Sequence, residues 1–139
     1  MTEAGGGATG AWFDGRARLV ALERHVDARG ALLPLEFERL PFAPRRLFTV
    51  AGVPAGTTRG GHAHRQGQQL LICLQGRVDL RLRRAEEEVQ VMLAAEGPAM
   101  LVGAGVWCEQ TYVEVGSVLL VLSSEPYDPQ SYVSHWQDA

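Results

Sequence analysis

The sequence predicts an all-β fold built as an antiparallel sandwich or barrel. Between residues 78 and 83, apolar and charged residues alternate with a period of two, which gives a strand one buried and one wet face. Glycine and proline recur between short apolar runs, and helical periodicity is almost absent. Short strands with regular turn signals are typical of antiparallel sandwiches and barrels.

The first third of the chain predicts three strands. Residues 19–22 form an apolar run that is expected to be the opening strand. Residues 27–30 indicate a turn before a strand at residues 32–35, where Pro34 requires an edge position or a bulge. Residues 45–50 are expected to form the next strand.

The second half predicts a hairpin, a buried strand and one short helix. Residues 88–91 repeat the alternation after the charged turn at residues 84–87, so we expect this segment to pair with the strand before it. Residues 118–122 are continuously apolar, as in a strand buried on both faces. Residues 129–136 are expected to form a short helix.

Length, charge and cysteine content limit the classes of protein. A chain of 139 residues with 46% hydrophobic residues predicts one globular domain, at residues 11–139. Residues 1–10 contain Glu3 and three consecutive glycines but no apolar core, which predicts a disordered tail. The net charge of -3 gives no electrostatic reason to expect a nucleic-acid partner. No apolar run approaches transmembrane length, and the tail has no secretory signal. Cys73 and Cys108 form no disulfide framework, which favours a cytoplasmic location.

The most informative segment is Arg59-Gly60-Gly61-His62-Ala63-His64. Residues two apart in a strand point to the same face, so the His62 and His64 imidazoles are expected to enter one space. Two adjacent imidazoles indicate either a metal site or a proton-transfer site.

The spacing around the histidines fits the first motif of the cupin barrel. The matching positions are Gly56, His62, His64, Gln69 and Gly76, with glutamine in place of the usual metal-binding glutamate. In the second cupin motif, at residues 103–108, Cys108 replaces the metal-binding histidine. A neutral amide is a weak ligand for a transition metal, although two histidines and a thiolate could hold zinc. The incomplete set favours acid–base histidines, and we expect no metal and no other cofactor.

Several separate blocks, spread from about residue 18 to residue 132, point to one enzyme family. The blocks are Arg59-Gly60-x-His62-Ala63-His64, Gln69-Leu70-Leu71-Ile72-Cys73-Leu74-x-Gly76, Gly105-Val106-Trp107, Tyr127-Asp128, Asp27-x-Arg29-Gly30-x-Leu32 and Arg46. Together they resemble the dTDP-4-keto-6-deoxyhexose 3,4-ketoisomerases. The resemblance implies a single-domain jelly-roll cupin that forms strand-exchanged homodimers. It also implies an enzyme of deoxysugar biosynthesis that moves the ketone of a dTDP-linked sugar from C4 to C3 without a metal.

This isomerisation removes the C3 proton beside the ketone and delivers a proton to C4 through an enediol or enediolate. Such a carbon acid ionises only if a base lies close and the oxyanion is stabilised. Histidine, with an ordinary pKa of about 6.5, can take and return a proton near neutral pH. His62 and His64 are therefore the expected catalytic residues. One would be the C3 base, while the other could reprotonate C4 or carry a proton between the oxygens.

Five further residues are expected to bind the substrate. Arg59 and Arg46 can hold a diphosphate or an oxyanion through their guanidinium groups. Gln69 is expected to point inward and hydrogen-bond a histidine or a sugar hydroxyl. Trp107 could stack on the nucleotide or belong to the core, and Cys108 could donate a proton weakly or act as a small buried hydrophobe.

Two positions depart from the family pattern. Relatives usually carry histidine at the position of Cys108, and many carry tyrosine where this chain has Leu47-Phe48-Thr49. The second acid and the product stereochemistry at C4 therefore stay open. Two alternative functions stay open as well: a dTDP-sugar-binding cupin without turnover, and a metal-dependent cupin.

Overall fold

A computed structural model describes residues 10–139, so the predicted tail, apart from its last residue, lies outside the described residues. This part of the chain contains thirteen strands and three 3-10 helices of one turn each. The strands are β1 (Ala11–Trp12), β2 (Ala17–Val20), β3 (His25–Asp27), β4 (Gly30–Leu32), β5 (Arg46–Val50), β6 (Thr57–His64), β7 (Gln68–Gln75), β8 (Arg77–Arg84), β9 (Glu87–Ala94), β10 (Ala99–Gly103), β11 (Trp107–Tyr112), β12 (Val118–Ser123) and β13 (Tyr132–Val133). None of the described helices is long and apolar enough to cross a membrane.

Two antiparallel sheets pack face to face, which confirms the predicted all-β sandwich. The larger sheet has the strand order β1-β2-β10-β7-β12-β5, and the smaller has the order β13-β6-β11-β8-β9. Strands β3 and β4 pair only with each other and lie outside both sheets. The predicted hairpin is confirmed as β8 and β9, joined by a two-residue turn at Ala85 and Glu86.

The core lies between the sheets because alternate residues of the facing strands point inward. On β8, Val78, Leu80 and Leu82 are fully buried, as the alternation predicts. They pack in one cluster with Leu71 of β7 and Val121 of β12. Full burial of each such side chain contributes about 1.5–3 kcal/mol to hydrophobic stabilisation.

The central strands of the larger sheet are buried on both faces, as their continuous apolar runs predict. Leu70 and Ile72 of β7, together with Leu122 of β12, form a second cluster on the outer face. Side chains between residues 33 and 42 cover this cluster. The larger sheet therefore has an apolar layer on each side, which fixes β7 and β12 opposite the smaller sheet that carries β6.

Three predicted elements need correction. The opening strand is Ala17–Val20, because all four of its residues pair with β10, and Ala17 and Leu19 pack in the core. The strand expected at residues 32–35 ends at Leu32, before Pro34 would remove a ladder donor. The predicted C-terminal helix is wrong: β13 forms a ladder with β6, and only single helical turns, at Pro129–Ser131 and Trp136–Asp138, flank it.

Candidate active site

A bulge in β6 determines which side chains of the histidine segment share a face. In the ladder with β11, His62 lies opposite Cys108 and Arg59 lies opposite Gln110, while Gly61 is an extra residue without a partner. Directly opposed residues of an antiparallel pair face the same side. The bulge therefore brings the Arg59 guanidinium to the same face as the His62 imidazole.

Glycine is required at this bulge. Gly60 and Gly61 have φ angles of +84° and +82°, in the region that side chains rarely adopt. A Cβ atom on Gly60 would also lie 2.8 Å from Oε1 of Gln110 and 3.1 Å from the carbonyl oxygen of Cys108. The two glycines thus permit both the backbone turn and the close approach of β11.

The two histidines enter one space, as expected, and Tyr132 lies against both. The His62 and His64 ring centroids are 5.3 Å apart in an edge-to-face arrangement. Tyr132 lies directly opposite His64 in the β13–β6 ladder. Its ring centroid is 4.6 Å from each imidazole centroid. The cluster therefore combines two proton acceptors with one phenol.

Burial keeps both imidazoles neutral near pH 7. Desolvation, followed by the charges of His62 and Arg46, lowers the pKa of His64 to about 4. Desolvation also lowers the pKa of His62, and this effect exceeds that of a hydrogen bond with the Gly60 backbone, which raises the pKa. Nε2 of His64 is buried without a hydrogen-bond partner. The arrangement suits general bases with a lone pair available to a substrate proton.

Two cavities meet at the histidine pair. The first has a volume of about 200 Å³ and is lined in part by His64 and Tyr127. The second, of about 310 Å³, is lined in part by His62 and Arg59. The residues that line both cavities are Arg46, Gln69 and Tyr132. Three further predicted site residues, Arg46, Arg59 and Gln69, and the phenol of β13 thus surround the two imidazoles.

Arg46 is held between two aromatic rings. Its Cζ atom lies 4.7 Å from the ring centroid of Phe48 and 5.0 Å from that of Tyr127, both within cation–π range. No carboxylate of the described residues forms an ion pair with Arg46. The stacking orients the guanidinium and leaves its hydrogen-bonding edge available for an anionic oxygen.

Gln69 lies in the same row of the larger sheet as Arg46. Ser123 of β12 pairs with Arg46 on the neighbouring strand β5 and with Gln69 on the other neighbouring strand, β7. All three side chains therefore face inward. Gln69 also lines a small space between the two histidines. This inward position agrees with the expectation for Gln69.

Cys108 faces the site, and Trp107 does not. Cys108 is buried opposite His62, and burial raises the pKa of its thiol to about 12. Trp107 is the preceding residue of the same strand, so its side chain points to the other face of the sheet. Its indole Nε1 donates to the carbonyl oxygen of Ser134 at 3.4 Å, and it lines neither cavity. The structure therefore gives no support for stacking of Trp107 on the substrate.

Metal ligands are sparse around the histidines. Among residues 10–139, no group of three or more histidine, cysteine, aspartate or glutamate side chains is arranged to hold a metal ion. The neutral amide of Gln69 and the protonated thiol of Cys108 lie where a cupin would supply further ligands.

Tyr132, Tyr127 and Gln110 are among the cavity-lining residues that the sequence did not assign to the site. Tyr127 was visible as part of a family block, but without a role. Gln110 becomes recognisable once β11 is a strand, because it is two residues from Cys108 and shares its face. Tyr132 had no local signal, since a two-residue strand is specified by its partner.

Comparison with known proteins agrees with this geometry. Over residues 16–138 the sequence matches the family described as FdtA: WxcM-like, C-terminal. The TDP-4-oxo-6-deoxy-alpha-D-glucose-3,4-oxoisomerase of Aneurinibacillus thermoaerophilus is 26% identical over 122 residues, which cover 87% of this chain and 88% of that protein.

Solved structures give the same result. A double mutant of the QdtA 3,4-ketoisomerase from Thermoanaerobacterium thermosaccharolyticum, in complex with TDP, is 35% identical with a TM-score of 0.83, over 88% of this chain and 90% of that chain. The WlaRB TDP-quinovose 3,4-ketoisomerase of Campylobacter jejuni is 28% identical with a TM-score of 0.80, over 88% and 95% of the two chains. The expected cupin fold is confirmed with these matches. The chain belongs to the FdtA family (WxcM-like, C-terminal), a family of isomerases, as the blocks around its paired histidines predict.

Proposed function

We propose that this protein is a 3,4-ketoisomerase that moves the keto group of a dTDP-linked 4-keto-6-deoxyhexose from C4 to C3 by histidine-mediated proton transfer, without a metal. The observation that carries the proposal is the pair of neutral imidazoles facing two cavities bordered by arginines. The names of its relatives support the reaction. A histidine-to-asparagine mutant of QdtA, 33% identical to this chain, was solved with TDP-4-keto-6-deoxyglucose, which supports the substrate class.

One imidazole removes the C3 proton, and the proton returns to C4. His62 and His64 are both suited to the first step because their lowered pKa values leave them unprotonated at neutral pH. Once one imidazole has taken the proton, it becomes a cation in a partly desolvated site. Its return to the neutral form favours delivery of the proton to C4.

The arginines supply the positive charge that the substrate and the intermediate need. Arg46 lines both cavities and has no carboxylate partner among the described residues, so it can stabilise an enediolate oxygen beside the histidines. Arg59 lies in the second cavity and is exposed, so it can bind the diphosphate at its rim. Gln69 can hydrogen-bond a sugar hydroxyl between them.

Metal independence is supported by the chemistry of the donor set. Gln69 offers only a neutral amide, and the Cys108 thiol stays protonated because burial raises its pKa to about 12. The purified protein is expected to contain less than a tenth of an equivalent of any transition metal and to keep its activity after dialysis against a chelator. Stoichiometric metal and loss of activity with the chelator would instead support the metal-dependent alternative.

Incubation with dTDP-4-keto-6-deoxyglucose in deuterated water, followed by NMR, tests the reaction. The wild type is expected to form the 3-keto sugar and to exchange the reacting hydrogen with solvent. His62→Asn and His64→Asn should each lose turnover with the fold intact, whereas His135→Asn, an exposed histidine outside both cavities, should keep it. Unchanged turnover in both active-site variants contradicts the proposal. Tight dTDP binding without deuterium exchange in the wild type supports the binding-only alternative.

The homodimer is the second part of the proposal. Strands β3 and β4 pair only with each other, and Val26 and Leu32 on them are 73% and 63% exposed. An isolated two-stranded hairpin is at best marginally stable in water, so a second copy of the chain is its expected cover. Light scattering after size exclusion should give a dimer that Val26→Asp weakens, while Val115→Asp, in an exposed turn, should not weaken it. A wild-type monomer at micromolar concentration contradicts this part.

We also propose that residues 11–139 act as one cytoplasmic domain. Cys73 and Cys108 are free and buried, which fits a reducing compartment. Both sheets contribute to one core cluster, which fits a single folding unit. One cooperative transition is expected in urea for wild-type protein at fixed concentration, and two separate transitions would contradict the single domain.

A further inference from the structure

We propose that the phenol of Tyr132 is the acid that protonates the ketone oxygen of the substrate while a histidine removes the C3 proton. This inference rests on the proposed 3,4-ketoisomerisation. It assigns the acid that the sequence left open when Phe48 replaced the tyrosine expected in the family.

The reaction needs a proton donor besides the histidines. As the C3 proton leaves, negative charge develops on O4, and a donor at that oxygen lowers the barrier. Both imidazoles start neutral, because burial lowers their pKa values. A neutral imidazole can accept the C3 proton, but it is a far weaker acid than a phenol. The donor to O4 is therefore a third group.

Geometry selects Tyr132 as that group. The antiparallel register puts it directly opposite His64, and its ring centroid lies 4.6 Å from both imidazole centroids. It lines the cavity of His64 and also the cavity of His62. Its phenol can thus serve a sugar in contact with either histidine.

The other hydroxyl and thiol groups nearby are less suitable. Ser123 Oγ donates to the carbonyl oxygen of Glu125 at 2.9 Å. The thiol of Cys108 is buried, with its pKa raised to about 12. Tyr112 is fully buried and lines neither cavity, and Tyr127 lines only the first.

The proton balance closes with one imidazole and one phenol. The C3–H bond breaks and its proton goes to the imidazole, while the electron pair forms the C3–C4 double bond. O4 takes the phenol proton, which gives an enediol and a phenolate. The phenolate then takes the O3 proton as the C3 ketone forms, and the imidazolium delivers its proton to C4. Both side chains end as they began, so no cofactor or co-reactant is consumed.

Tyr132→Phe tests this assignment, with Tyr112→Phe as the matched control. Both substitutions remove one phenolic oxygen, but only the first removes it from the cavities. For Tyr132→Phe we expect kcat to fall about 100-fold or more, a typical effect of losing a general acid, with KM within about three-fold. The rate of deuterium exchange at C3 should fall in parallel, because the phenol acts in the first step. Titration calorimetry with TDP should give an affinity within about two-fold of wild type, which reports an intact fold.

The outcomes separate this inference from the proposed function. If the wild type and Tyr112→Phe turn over and Tyr132→Phe keeps more than a fifth of kcat, the assignment is overturned and the reaction stands. C3 exchange at the wild-type rate with product formation lost also overturns it, because the phenol would then act after enolisation. A wild type that neither forms product nor exchanges hydrogen overturns the reaction and this inference together.

Discussion

Arg59 and His62 face the same side of β6 although three positions separate them. In a regular strand an odd separation puts two side chains on opposite faces. The extra residue at Gly61 shifts the alternation by one position, so the side chains of Arg59 and His62 point to the same face and both line the second cavity. The bulge thus brings a positive charge beside a histidine, at the cost of a weaker ladder at this point.

Substitution of the bulge glycines should destabilise the protein unequally. Gly60→Ala combines a positive φ with a Cβ contact of 3.1 Å to backbone, whereas Gly61→Ala meets only an ordinary contact of 3.7 Å. We expect Gly61→Ala to lower the free energy of unfolding by about 1–2 kcal/mol and Gly60→Ala to lower it further. Gly97→Ala, whose contacts begin at 3.6 Å without a positive φ, is the control for urea denaturation. Equal stability of all three variants would contradict the bulge geometry.

Removal of the Arg46 charge should raise the pKa of His64. Arg46 is one of the groups that lower this pKa to about 4, so Arg46→Gln weakens the repulsion of the imidazolium. Arg45→Gln removes the same charge from the adjacent exposed position and should shift the titration less. NMR titration of the His64 Cε1 proton measures both variants. If the pKa of His64 shifted equally in the two variants, the expected local effect of the Arg46 charge would be contradicted, and only the net charge of the protein would matter.

Acid should destabilise the fold through His64. Its ordinary pKa is about 6.5, and its folded pKa is about 4. Between these values the unfolded chain binds the proton and the folded chain does not, so the free energy of unfolding falls as the pH falls from 6.5 towards 4. Urea unfolding at about pH 7 and about pH 5 should therefore show a smaller difference for His64→Asn than for wild type or His135→Asn. If the free energy of unfolding changed equally between the two pH values in all three proteins, His64 would not be a cause of the acid destabilisation.

Trp107→Phe should leave substrate binding unchanged. Trp107 points away from the cavities and hydrogen-bonds Ser134, so its loss removes no contact with a ligand in either cavity. Calorimetry with TDP is expected to give a dissociation constant within about two-fold of wild type. Gln69→Ala, which changes a side chain that lines both cavities, should weaken binding of the 4-keto sugar. A ten-fold loss for Trp107→Phe would restore the stacking role.

Local pattern predicted the elements whose structure is determined locally. The alternation at Val78–Leu82 gave the strand β8, and the spacing of His62 and His64 gave their common face. The same rule covers Trp107, which was expected either to stack on the nucleotide or to belong to the core, because adjacent residues of a strand cannot both face one cavity. Applied to Cys108, that rule would have removed Trp107 from the substrate-binding set.

Features determined by tertiary pairing could not be predicted in the same way. The side chain of Arg59 changes face because Gly61 has no partner on β11, and only the ladder reveals this. Tyr132 lies in a strand of two residues that exists because β6 offers an unpaired edge next to His64 and Ala63. Of the helix expected at residues 129–136 only single turns form, and Asp128 caps the first of them by accepting a hydrogen bond from the Gln130 amide.

The position of β13 affects when the site is completed as the chain is synthesised. His62 and His64 leave the ribosome well before Tyr132, and only the docking of Tyr132–Val133 on β6 brings the third ring to the pair. A nascent chain therefore has both imidazoles and Arg46 before the site can close around a sugar. Among the described strands β13 comes last in the chain, so truncation before Tyr132 would remove one of the three residues that line both cavities and leave Arg46 and Gln69 in place.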